Sequence, residues 1–169
     1  LSILLESGTR PNAIRLLLVT CLVVGSIANA LIALDMYDYI VPFWILYGVT
    51  AILFGITLLS NREIPKNFGF ITLALFMLFD GFNVERLAFD YEYPLFYFTL
   101  NGIFALLAGT YWAFQKETWK SFPLIMLCGG LIVIGAAGFF VYEEEIKTAM
   151  LALSVLFSVP AAVALALRK

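Results

Sequence analysis

The 169-residue sequence contains no histidine and only two cysteines, and 13% of its residues are charged. Without histidine it lacks the commonest general base, the commonest metal ligand and the simplest pH switch. Cys21 and Cys128 both lie inside apolar runs, so no zinc or iron–sulfur ligand spacing can be written, and both read as small buried hydrophobes. The net charge is −2 and no basic stripe is present, which excludes a nucleic-acid binder. No nucleophile–base pair, phosphate loop or dinucleotide fingerprint can be found. The expectation is a protein with no catalytic, cofactor-binding or metal-binding residues.

What remains is apolar bulk: 63% hydrophobic residues, 16% aromatic, and a mean hydropathy of +0.98. Soluble domains are about half apolar and a quarter charged, so this chain has too little polar surface to cover a water-facing globule. A bilayer-spanning helix needs about 20 apolar residues, and six runs qualify, at roughly 14–34, 40–60, 68–88, 94–114, 122–142 and 147–167. Helices are expected throughout, because an open strand leaves backbone groups unsatisfied in lipid. The connections are short, so consecutive helices should be adjacent and antiparallel. The expected fold is all-α, one polytopic transmembrane domain covering 1–169. No cleavable signal peptide is recognisable, since the first apolar run is long enough to span and more spans follow.

The scarce charges are sorted. Arg10, Arg15, Arg62, Lys66, Lys116, Lys120, Arg168 and Lys169 fall on one side of the six runs, and only Arg86 and Lys147 on the other. The second side instead collects Asp35, Asp38, Glu85, Asp90, Glu92 and the run Glu143-Glu144-Glu145. The positive-inside rule then places the basic side, with both termini, in the cytoplasm, and the chain in the plasma membrane. Tyr37, Tyr39, Trp44, Tyr91 and Tyr93 mark the outer interface and Trp112 and Trp119 the inner one.

Shifted by 54 residues, the chain matches itself. Segment 46–73 lies over 100–127 with ten identities in 28 positions. Gly48 pairs with Gly102, Gly55 with Gly109, Glu63 with Glu117 and Lys66 with Lys120; at the same offset Asn29 meets Asn83. The expected plan is three tandem two-helix hairpins related as parallel repeats. Gly48 and Gly55 are two helical turns apart and share a face, as do Gly102 and Gly109; such faces let helices approach closely in lipid. Gly129, Gly130, Gly135, Ala136, Ala137 and Gly138 give the fifth run the smallest side chains, which predicts a central helix.

The stretches Leu46-Tyr47-Gly48…Gly55 and Leu100-Asn101-Gly102…Gly109, within three tandem hairpins joined by short basic links, resemble the HdeD-like family of small bacterial and archaeal membrane proteins. The resemblance covers the whole chain in layout and these stretches in motif. It implies a six-span protein, associated with acid stress in one branch, without established catalytic residues.

Asp80 breaks the apolar pattern. It lies about 12 residues into the third run, roughly 18 Å from the basic side, and an ionisable group at such depth is a functional hypothesis by default. Asn83 shares its face, Asn29 and Asn101 sit at similar depth, and Glu85 and Arg86 follow just above. These groups could line an outward-facing polar vestibule, form an interhelical hydrogen-bond cluster, or lie at the headgroups if the helix ends near Phe82. Pro160 with Ser158 in the sixth run frees a carbonyl, and the Glu143–Glu145 run reads as solvated. Two functions follow. One is a non-catalytic subunit or scaffold, partnered by the lipid bilayer and by other membrane subunits or further copies of itself. The other is a small channel or carrier using Asp80, Asn83, Asn29, Asn101 and Arg86.

Overall fold

The computed structural model describes residues 9–62, 64–89, 95–140 and 143–167; side chains at 9–12, 85–89, 95 and 97 are not described. Within these residues the chain is helical and contains no strand. Six helices run α1 (Thr9–Ala33), α2 (Ile40–Ser60), α3 (Phe68–Phe89), α4 (Leu95–Ala113), α5 (Phe122–Ala137) and α6 (Glu144–Ala166), with single 3-10 turns at Tyr37–Tyr39 and Thr118–Lys120. Among the described residues, three segments, Ala13–Ala33, Tyr37–Ser60 and Glu144–Ala166, are long and apolar enough to cross a membrane, and α5, at 16 residues, is apolar but shorter.

Each helix packs against its neighbours in sequence, and α6 packs back against α1, so the six close a ring. No helix is central. The small residues of α5 admit its neighbours instead: Gly129 and Gly130 face Phe157 of α6, and Gly135 faces the α4 backbone. The α5 helix also ends at Ala137, short of the run to 142 expected from hydropathy.

Local chemistry explains several helix ends. After α1, Asp35 adopts φ 56°. Met36 N–H donates to Leu31 O at 2.9 Å and Asp35 N–H to Ile32 O at 3.1 Å, closing a Schellman motif with aspartate where glycine is usual. At the basic end, Lys66 Nζ donates to Leu58 O and Asn61 O at 2.8 and 2.9 Å, satisfying carbonyls left open where α2 stops. Thr118 Oγ1 and Trp119 Nε1 do the same for Trp112 O and Ala113 O as α4 stops, both at 2.7 Å.

The core is concentrated toward this basic end. Phe54, Leu58, Ile64, Phe70 and Leu165 are almost fully buried. Phe70 meets Trp112 edge-on at 4.9 Å, a favoured aromatic geometry. Exposed aromatics occupy both ends of the ring, among them Phe114 and Trp119 at one and Tyr39 and Phe96 at the other.

Positions 54 apart meet equivalent neighbours. A Cβ on Gly81 would lie 2.8 Å from Gly48 O, and one on Gly135 would lie 2.9 Å from Gly102 O. A Cβ on Gly55 would meet Ala74 and Leu78, and one on Gly109 would meet Cys128 and Ile132. The α2–α3 and α4–α5 contacts thus use corresponding glycines, and backbone approaches backbone at both. Ile64 and Thr118, also 54 apart, are the buried residues of the two basic-end loops.

Candidate functional site

Asp80 lies on α3 with α2 on one side and α4 on the other. Tyr47 Oη donates to its Oδ2 in a short hydrogen bond, and Asn101 Nδ2 donates to its Oδ1 at 2.6 Å. The carboxylate therefore joins three helices through two uncharged donors. Tyr47 and Asn101 are equivalent positions at the 54-residue offset, so the two donors reach Asp80 from corresponding turns of α2 and α4. A buried carboxylate needs such partners, because an unsatisfied polar group in an apolar surrounding is costly.

The ring of Tyr47 is accommodated by α1. A Cβ on Gly25 would lie 2.9 Å from Tyr47 Cε2, so glycine there leaves room for the ring. On the far side of Asp80, Asn101 is buried and its Oδ1 has no hydrogen-bond partner.

The hydrogen bonds of the described polar residues divide between two seams. Asp80 and Asn101 meet. Asn83 is buried one turn further along α3. Asn29 belongs to a different seam: its Nδ2 donates to Ser154 Oγ on α6 at 3.0 Å. The side chains of Glu85 and Arg86 lie outside those described. Similar depth along two helices says nothing about which way each side chain points around its axis, and Asn29 turns toward α6.

The α1–α6 seam carries its own polar ladder. Ser154 Oγ donates to Leu151 O at 2.7 Å and accepts from Asn29. One turn on, Ser26 Oγ and Ser158 Oγ are 2.7 Å apart, while Ser26 also reaches Leu22 O at 2.5 Å and Ser158 reaches Ser154 O at 2.7 Å. Each hydroxyl has one proton, so the serine–serine bond forms only when one of the two carbonyls is released.

Tyr47 was missed by reading for charged and amide residues alone. The signal was present in the internal alignment, which sets Tyr47 over Asn101. Helix-packing positions Gly48, Gly55, Gly102 and Gly109 are all buried. No group of histidine, cysteine, aspartate and glutamate that could hold a metal occurs among the described residues. Compared with family models, curated proteins and solved structures, the chain matches none.

Proposed function

We propose that this chain is a six-span integral membrane protein that acts as a structural or accessory subunit, assembling with other membrane chains or with further copies of itself. In this reading it has no enzymatic activity. Its helices are three tandem hairpins, its basic end and both termini face the cytoplasm, and its membrane is the plasma membrane. The kinship with HdeD-like proteins is part of the proposal, resting on layout and glycine pattern.

The observation that carries it is how the deep polar groups are used. Asp80 has both oxygens engaged by neighbouring helices, and Asn29 is engaged on a separate seam. A carrier needs such groups to converge on a passage. Here the basic half of the ring is filled by Phe54, Leu58, Phe70 and Leu165. The paired glycine contacts 54 residues apart support the hairpin plan, and the sorted basic residues support the orientation.

The test is extraction in a mild detergent followed by mass determination and flux measurements in vesicles. The expected result is a stoichiometric complex, hetero- or homo-oligomeric, and ion flux that is the same for wild type and Asp80→Asn. A lone monomer with flux abolished by Asp80→Asn overturns the proposal in favour of a carrier.

A further inference from the structure

Outside the ring, α1 and α6 leave a groove of about 330 Å³ lined by side chains that include Val19, Val23, Ala30, Val159, Val163 and Ala166. Ser26, paired with Ser158, contributes the one polar side chain to its lining. The groove runs from Val19 to Ala30, about 16 Å at 1.5 Å per residue, roughly the depth of one leaflet of a ~30 Å hydrocarbon core.

Its two ends differ in charge. Arg15 lies four residues before Val19, on the same face of α1, one helical turn beyond the groove lining at the basic end. In sequence, Arg168 and Lys169 follow Ala166, which lines the same end from α6, by two and three residues. The opposite end, beyond Ala30, leads toward Asp35 and Asp38. An apolar channel of leaflet depth with Arg15 one turn beyond one end and acids beyond the other matches a ligand with an apolar chain and a negative head.

We propose that this groove binds an anionic phospholipid, one acyl chain lying between α1 and α6 and the phosphate headgroup beside Arg15. Arginine suits the role because its planar guanidinium pairs with phosphate oxygens bidentately. Basic residues near the membrane surface attract anionic lipid by amounts that make each one matter several-fold. The proposal rests on the membrane-spanning reading above.

Native mass spectrometry of the detergent-purified full chain, titrated separately with phosphatidylglycerol, cardiolipin and phosphatidylcholine, tests it. The expected result is retention of one anionic lipid per chain in preference to phosphatidylcholine. Arg15→Gln should reduce that preference about fivefold. Val163→Phe, which fills the groove from an exposed position, should remove the retained lipid, while Leu16→Phe, at an exposed site outside the groove lining, should not. Equal retention of phosphatidylcholine overturns the proposal, as does lipid binding unchanged by Val163→Phe, or a wild-type dimer that Val163→Phe dissociates, which would make a second copy the occupant. Carbonate-resistant insertion of the same variants in phosphatidylcholine vesicles tests the membrane reading separately. Insertion without anionic preference removes only this inference, and failure to insert removes both.

Discussion

At the residue scale, Asp80 is a tie rather than a free charge. Its two oxygens receive Tyr47 from α2 and Asn101 from α4. Interhelical hydrogen bonds in membrane proteins contribute on the order of 0.6 kcal/mol each and up to about 1.7. Asp80→Leu removes two, so it should cost ~1–3 kcal/mol of folding free energy, read as a shifted denaturant midpoint in mixed micelles. Tyr47→Phe should cost about half as much by the same reasoning. Because both bonds end on one carboxylate, Asp80→Leu combined with Tyr47→Phe should lose less than the sum of the two single variants. Additive losses would show that the Tyr47 hydroxyl acts independently of Asp80. The importance of Asp80 was legible in the sequence from depth and charge. Its partners were only half legible: Asn101 stands out as an amide in an apolar run, but Tyr47 is one aromatic among many and only its alignment with Asn101 sets it apart.

At the scale of elements, glycine positions decide which helices come close, and they do so unequally. A Cβ at Gly81 would sit 2.8 Å from the carbonyl oxygen of Gly48, a backbone atom that cannot turn aside. Gly135 stands in the same relation to Gly102. Gly81→Ala and Gly135→Ala should therefore each destabilise by about 1–3 kcal/mol, the usual cost of overpacking. At Gly130 the nearest atom is Phe157 Cβ at 3.5 Å, an ordinary contact. Gly130→Ala should be neutral or stabilising by up to ~1 kcal/mol, since alanine is the better helix former. Thermal unfolding of the three variants side by side checks the contrast, and equal losses at all three would remove the argument. Hydropathy placed the helix starts at 40, 68 and 122 correctly because apolar length and a preceding polar loop are strong signals. It carried the fifth helix too far, since apolar residues continue past the Gly138 turn where the helix has already ended. It also gave no view of the faces: helices that are apolar nearly all round do not reveal which side meets a neighbour, and this is why Asn29 was grouped with Asp80 rather than with Ser154.

For the whole molecule, the charges make the number of membrane crossings decidable. Among the described residues, α1, α2 and α6 contain segments with the length and hydropathy of independent spans. If those three alone crossed, everything from Asn61 to Glu143 would stay on the side where α2 ends, and Glu144 would share that side with Lys66 and Lys116. If all six cross, Glu144 lies opposite Lys66 and Lys116 and on the same side as Asp38. The six-span proposal accounts for the way α3 packs on α2 and α5 on α6, both through glycines and without a separate core of their own. A helix slightly shorter than the hydrocarbon can be accommodated by local thinning at a modest cost per ångström. With Cys21 and Cys128 replaced by alanine, single cysteines at Asp38, Lys116 and Glu144 should answer a membrane-impermeant thiol reagent in intact cells. Six crossings with the basic side inside predict labelling at 38 and 144 and protection at 116 until the membrane is permeabilised. Protection at both 116 and 144 would instead mean three crossings, and labelling at 116 alone would mean that the positive-inside rule misplaces this chain.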